Sequence, residues 1–373
     1  MIKIRSSIFM AAAGLAVAAS GGAAEADAIS DFYKNKQVSM IIASGVGGGY
    51  DTYSRTFARH LERKIPGNPN IVAKNMPGAG GLRATNFVYS KAERDGSLFA
   101  STYNTMTLEP LFGNKGAKFD VFKLNWLGSL GKLQAVCVSW HTSPIKTLAQ
   151  AKGKTLTVSA TGATGNSAKM PLLFNWAVDT KFKVILGYST TGSHLALERG
   201  EVDGICGLGY STLKAARPDW IVNKRLNYLA QIGLYPHPAL PDVPMVLNDV
   251  KDAKTKKVME LILTQQEPGR PFIAPPGVPK DRVQALRTAF MAAAKDPSFL
   301  ADAERAKLEV TPMSGEEIDA ILRRAYDYPR DVVEAAAKLV GPPAKGTVTN
   351  CNQFTKEAKW CRKAKKKKAQ KKS

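Results

Sequence analysis

Past its first 28 residues this chain has no apolar run of membrane length, so nothing beyond that point is built to cross a bilayer as a helix. Histidine is scarce. The four that occur, His60, His141, His194 and His237, show no paired ligand spacing, and each reads as a surface or capping residue rather than a metal ligand. Cysteine is equally sparse, and the absence of any CxxC removes support for a thioredoxin-like or zinc role. Nucleotide signatures are missing too. Counting from Gly45, the sixth position of a GxGxxG is Tyr50, and no GxxxxGK[ST] exists. Ser211 to Lys214 matches SxxK, but no KTG accompanies it, and it reads as a chance match on a helix. These gaps argue against an enzyme and against a bound cofactor. Acidic residues form the minority, 31 against 53 Lys and Arg, for a formal net charge of +22.

That charge is unevenly placed. From Lys345 onward there are eleven Lys or Arg residues against one acid, Glu357, so a large part of the excess sits in residues 344–373. A lysine run of this kind is usually a solvated extension; nucleic acid and an anionic surface are its two sharper readings. The other end of the chain bears on the choice. Lys3 and Arg5 precede an apolar run from Ile8 to Ala19 and small residues up to Ala28, the layout of a secretory leader cleaved between Ala24 and Ile29, with a retained anchor as the alternative. Export makes nucleic acid an unsuitable partner and favours an anionic envelope surface. It also raises the question of disulfides. Cys137 and Cys206 lie in apolar strand-like segments, where a buried thiol and a bridge are equally expected. Cys351 and Cys361 are too far apart along one helix to bond unless the tail folds back.

With 373 residues, 44% of them hydrophobic, the chain is long enough for two domains. Its organising stretch is Val38 to Arg55. Val38 to Ala43 reads as a strand, Gly45 and Gly47 to Gly49 as a loop, and Tyr50, Tyr53, Phe57 and Leu61 recur at near-helical spacing. Glycines let a ligand approach the backbone, and a helix N-terminus offers unpaired N–H groups to an anion. Strands at Asn70–Lys74 and Ser97–Thr102, with a helix at Leu82–Ser90 between them, complete a βαβαβ series. Ligands of such sheets sit at the carboxyl ends of strands, which puts Ser44 to Asp51 and Thr102 to Thr105 on one edge.

The pattern then restarts. Thr155–Ser159 is strand-like, ATGATGN (160–166) is a small-residue loop, and Ser167–Val178 is a helix. Lys183–Leu186, the polar loop GYSTTGS (187–193), a short helix His194–Arg199, and strands at Val202–Cys206 and Asn227–Ile232 follow. Two similar halves with polar loops suggest a cleft between domains. Prolines at 236–244 mark a domain crossing, and the rest is mainly helical, with FIAPPGVP (272–279) as an extended interruption.

In order along the chain, GGGYDTYSR (47–55), NMPGAGG (75–81), Asp95-Gly96, the loop at Gly162–Ser167, Tyr188–Gly192, Gly200–Asp203, LPDVP (240–244) and APPGVP (274–279) resemble the extracytoplasmic solute receptors of tripartite tricarboxylate transporters. The resemblance covers about Asp31 to Val340. It implies a periplasmic-binding-protein-like α/β fold of two domains, each a mainly parallel sheet flanked by helices, with the ligand cleft between them. The domains would be 29–132 with 235–343, and 133–234. It implies a non-enzymatic, monomeric periplasmic receptor that closes by a hinge on a small carboxylate and delivers it to membrane subunits; a surface-attached sensor is the alternative, and a hydrolase or acyltransferase using the same cleft ranks below it. By position, Ser44, Val46, Gly47, Gly48, Tyr50 and Asp51 would line one wall, beside Tyr103 and Asn104. Thr161, Gly162, Thr164, Gly165 and Asn166 would line the other, near Tyr188 and Thr191. Asp51 reads as the complement of a helix dipole or an acceptor for a ligand hydroxyl or ammonium. Arg270 is expected in a structural ion pair, with a bidentate grip on a ligand carboxylate as the alternative.

Overall fold

The computed structural model describes residues 28–340, so the leader, the lysine-rich tail, Cys351 and Cys361 lie outside the described residues. Eleven strands are sorted into two sheets. Those of the first are β1 (Gln37–Ile42), β2 (Asn70–Asn75), β3 (Leu98–Ser101), β4 (Asn125–Ser129), β10 (Pro271–Ala274) and β11 (Met313–Ser314), in spatial order β11-β4-β10-β3-β1-β2. Between β4 and β10 the chain builds β5 (Ala135–Trp140), β6 (Thr155–Ala160), β7 (Lys181–Leu186), β8 (Gly204–Gly209) and β9 (Leu226–Ile232), in order β7-β6-β8-β5-β9.

Alternation along the strands explains why both faces of each sheet are covered. In β1, Val38, Met40 and Ile42 enter one core with Phe57, Phe272, Phe290 and Phe299, while Ile41 enters another with Trp126, Ile273 and Leu322. In β5, Ala135 and Cys137 face one side, and Val136 and Val138 the other. The helix Gly49–Leu61 inserts Tyr53, Phe57 and Leu61 into the first core, as their spacing predicts.

Both sheets are mixed, not mainly parallel. β1 pairs in parallel with β2 and β3, and β6 with β7 and β8, but β10 runs antiparallel to β3 and β4, and β5 antiparallel to β8 and β9. The reversed strands adjoin the points where the chain crosses between lobes, so a strand returning from the other lobe enters against the βαβ direction. The segment read only as an extended interruption supplies β10, in the middle of its sheet. Helices Ala253–Thr264 and Arg330–Val340, which the sequence groups with the first sheet, bury Val258, Met259, Ile262, Val332 and Ala336 in a core of the second. The helix expected at His194–Arg199 spans Thr190–Glu198, because the Ser189 hydroxyl accepts the Gly192 N–H at 2.9 Å and caps it four residues earlier. Cys137 and Cys206, opposite each other on β5 and β8, form a disulfide.

Candidate functional site

The glycine loop after β1 is held from within its own lobe. Buried Asp51 accepts the Gly47 N–H at 2.9 Å, Arg55 Nε at 2.8 Å and Asn75 Nδ2 at 2.8 Å. Its carboxylate fixes the loop and is not part of the cavity lining, and no side chain caps the helix that begins at Gly49. Across the cleft, the helix Asn166–Ala177 also starts without a side-chain cap, after Gly165. Apart from Ala168, whose N–H meets the Gly165 carbonyl at 3.0 Å, the first-turn N–H groups of these helices lack the intrahelical partner that later turns have, and they carry the positive end of the macrodipole. A third helix, Thr190–Glu198, opens on the same space.

That space is a cavity of about 80 Å³ between the lobes. The first lobe contributes Gly49, Tyr50, Tyr103 and Arg270; the second contributes Thr161, Gly165, Asn166 and Ser167 from one loop, with Thr190, Ser193 and His194 from the next. Leu133 and the end of β8, Ile205 and Gly207 to Gly209, with Thr212, complete the lining, which contains no Asp or Glu.

Arg270 is the charged group of this cavity, and it has no ion pair among the described residues. The structural ion pair expected of it is therefore absent. It is 3% exposed; its Nη2 donates to Thr212 Oγ1 at 3.0 Å, the Ser211 hydroxyl lies at 3.4 Å, and Nε has no partner. Its guanidinium carbon stacks 4.6 Å over the Tyr50 ring and 4.7 Å over Tyr53. Ring faces and hydroxyls stabilise a buried guanidinium only in part, and a buried charge without a counter-ion is costly. β10 ends the crossing from the second lobe, which is why residue 270 arrives beside residue 50. Burial raises the Tyr50 and Tyr103 phenols above their ordinary range, so both stay neutral hydrogen-bonding groups.

Of the residues expected at the site, Tyr50, Tyr103, Thr161, Gly165, Asn166 and Arg270 line the cavity. Others form its frame. Asn104 is fully buried, takes the Tyr50 hydroxyl at 3.0 Å, and meets Asn166 Nδ2 from the other lobe at 3.1 Å. Thr164 donates to the Ala79 carbonyl across the cleft, and Gly162 packs on Gly80. Gly80 itself has φ +62°, and a Cβ there would fall 2.2 Å from Thr164 Oγ1 and 2.7 Å from the Gly165 nitrogen. Gly47 and Gly48 approach Thr191 and Thr190 at the rim. Ser44 is buried and gives its carbonyl to Asn75 at 2.9 Å; Val46 is 73% exposed; Tyr188 is half-buried against the second lobe's core.

Two contributions escaped the sequence reading. His194, expected at the surface or as a cap, is 3% exposed, lines the cavity, and leaves Nε2 without a partner. Burial first, then the nearby Arg217, push its pKa down to about 4, so the ring is neutral at pH 7. The segment GICGLGYSTLK, whose strand and helix the sequence gives without the glycines between them, is another strand, glycine and helix unit, and Gly207, Gly209 and Thr212 come from it. Its signal was the same as that of Val38 to Arg55. Among the described residues, no group of three or more His, Cys, Asp or Glu could hold a metal ion, and no helix is long and apolar enough to cross a membrane.

A family profile described as "Tripartite tricarboxylate transporter family receptor" matches residues 54–335. No curated relative matches the sequence. Among solved structures, the periplasmic binding protein BugD is similar over 83% of this chain and 99% of its own, at TM-score 0.65 and 19% identity. MatC (Rpa3494) from Rhodopseudomonas palustris with bound malate is similar over 80% and 99%, at TM-score 0.60 and 19% identity. R. palustris Rpa4515 with adipate is similar over 81% and 97%, at TM-score 0.64 and 15% identity. At these identities the likeness is one of fold.

Proposed function

The chain belongs to the tripartite tricarboxylate transporter family of receptors, and from that premise we propose that it captures a small carboxylate between its lobes and hands it to membrane subunits, without catalysing a reaction. The observation that carries the reading is Arg270, a buried cation with no counter-ion among the described residues, in an acid-free cavity that three helix N-termini face. Each of these features is stabilised by a negative charge placed between them. That MatC holds malate and Rpa4515 adipate on the same fold supports the class of ligand.

In this reading the ligand touches Tyr50, Tyr103, Thr161, Gly165, Asn166 and Arg270. Ser44, Val46, Gly47, Gly48, Asp51, Asn104, Gly162, Thr164, Tyr188 and Thr191 shape or close the walls. The hinge lies in the crossings between β4 and β5 and between β9 and β10, with a third where the chain passes from Tyr326 to Arg330. The leader-like residues 1–28 support an exported, periplasmic, monomeric receptor, and the lysine-rich tail supports contact with an anionic envelope surface. The test is calorimetry against a panel of carboxylates, with Arg270→Gln beside the parent. Loss of the cation that faces the ligand carboxylate is worth about 2 kcal/mol or more, so affinity falls about 30-fold or further. Equal affinity in the two proteins, or no carboxylate binding to either, overturns the assignment.

A further inference from the structure

Beside the cleft runs a second space, a groove of about 510 Å³ open to solvent, and two crossings between the lobes line it: Lys132 to Gln134 from the first and Gly233 to Pro238 from the second. Gln266 and Glu267, which lead into β10, and Glu309 to Thr311 complete the lining. Leu133, 3% exposed, lines this groove and the inter-lobe cavity alike, so the two spaces share that side chain as a wall.

The apolar part of the lining is held in place and left in water. Tyr235 is 62% exposed, Pro236 and Pro238 are exposed, and Leu234 and Val310 are half-buried. The two prolines fix their own φ angles. Gln231 ties the same segment down: it accepts the His237 N–H at 2.7 Å and donates to the Leu240 and Val243 carbonyls at 2.8 Å each. Neighbouring apolar groups exposed on a braced wall are what the apolar body of a ligand covers at little ordering cost.

The charges beside them are unused. The Leu133 N–H meets the Gln266 carbonyl at 2.8 Å, continuing the antiparallel approach of β4 and β10, and this sets Lys132 and Glu267 on one stretch of the lining. They are opposite in sign, yet neither has an ion pair among the described residues. Lys132 Nζ lies 5.4 Å from the centre of the Tyr235 ring. Glu309 is already engaged, by Lys214 and by His237 Nε2 at 3.1 Å. A free ammonium and a free carboxylate beside an exposed aromatic ring are complementary to a molecule that bears one charge of each sign and an apolar side chain on the same carbon.

We infer that the groove is a second binding site, separate from the cleft, for a free α-amino acid with a large apolar side chain. Its carboxylate pairs with Lys132, its ammonium pairs with Glu267, and its side chain covers Tyr235 and Val310. Such an occupant touches both crossings at once, so it fits one hinge angle better than others and is linked to whatever the cleft binds. The angle it fits is the one in which Thr164 reaches the Ala79 carbonyl and Asn166 reaches Asn104 across the cleft, so a filled groove tightens the grip of the lobes on a cleft ligand. The site stands independently of the receptor reading; the linkage rests on it.

The test is a series in which each compound lacks one feature. L-Phenylalanine, 3-phenylpropionate, phenethylamine and glycine are titrated into the full-length protein by calorimetry; the last three lack the ammonium, the carboxylate and the apolar body in turn. Phenylalanine binds about fivefold or more tighter than each of the others, the worth of one partly exposed ion pair or of the covered ring. Lys132→Gln and Glu267→Gln, which lie outside the cleft lining, each weaken phenylalanine about fivefold, whereas Arg270→Gln leaves it within about twofold. No phenylalanine binding, equal binding of the compounds that lack a charge, or an affinity lost in Arg270→Gln and kept in both groove variants overturns the site. With saturating phenylalanine, affinity for a carboxylate held in the cleft rises about twofold or more; an unchanged value overturns the linkage and leaves the site standing. Phenylalanine bound in the groove while every carboxylate fails to bind overturns the receptor reading and the linkage, and again leaves the site.

Discussion

Lys169 and Glu109 form an ion pair in which the side chains are 2% and 1% exposed, and its two halves come from distant parts of the chain that pack into one core. Lys169 belongs to the Asn166–Ala177 helix; Glu109 belongs to the segment after β3, whose Leu108 and Phe112 lie in a core of the second sheet. Asn114 Nδ2 also donates to Glu109. Lys169→Met keeps the aliphatic length and removes the charge, leaving a carboxylate in the interior with one neutral donor. Breaking a buried pair from one side costs about 3–5 kcal/mol, because the stranded ion has lost its hydration and its partner together. Adding Glu109→Leu removes the stranded charge, and half-buried Asn114 can turn to water. The double variant is expected within about 1–2 kcal/mol of the parent. Urea unfolding followed by tryptophan fluorescence on the parent, both single variants and the double gives the coupling directly. Since neither residue lines the cavity, carboxylate affinity should change little in any folded variant. A double variant as unstable as Lys169→Met, or a single variant costing less than about 1 kcal/mol, would refute the view that the uncompensated charge, and not lost packing, sets the penalty.

Gly80→Val places a branched side chain where a Cβ already falls 2.2 Å from Thr164 Oγ1, at φ +62°. The lobes should be held apart, raising the radius of gyration by small-angle scattering and weakening carboxylate binding; unchanged scattering in the presence of ligand counts against the contact. The Cys137–Cys206 bridge closes a separation of 69 residues, worth up to roughly 4 kcal/mol by chain entropy. Reductant should lower the urea midpoint, and identical midpoints with and without it would remove the bridge. His194 gives a pH signature. Its folded pKa lies near 4, below the ordinary 6.5, so between those values the unfolded chain binds the proton that the folded one refuses. Its contribution is fully present above about pH 6.5 and is lost toward pH 4, by about 3 kcal/mol in total. His194→Phe should flatten this part of the stability profile, and an unchanged slope would assign the titration to other groups.

Much of the frame was legible in the residues because it is made by local rules. A short apolar strand, a glycine and a helical run recur after β1, β6 and β8, and this punctuation fixes where strand ends meet helix starts. The same locality explains the misses. The Thr190–Glu198 helix begins earlier than expected because its cap is a single serine, a weaker mark than the glycines around it. β10 hid behind prolines because Pro271 opens the strand and spends no ladder donor, while the Ala253–Thr264 helix gave no sign of which core would take its apolar face.

By itself, then, the sequence determined two α/β lobes with glycine-rich strand ends that meet helix starts, since propensity, periodicity and missing Cβ atoms act within a few residues. Tertiary structure alone decided that Arg270, more than two hundred residues from Tyr50, arrives on its ring without a counter-ion among the described residues, and that His194 turns inward beside Trp220. The reason is physical: whether a charge or an imidazole is paired depends on what packs around it from distant parts of the chain, and no local pattern records that.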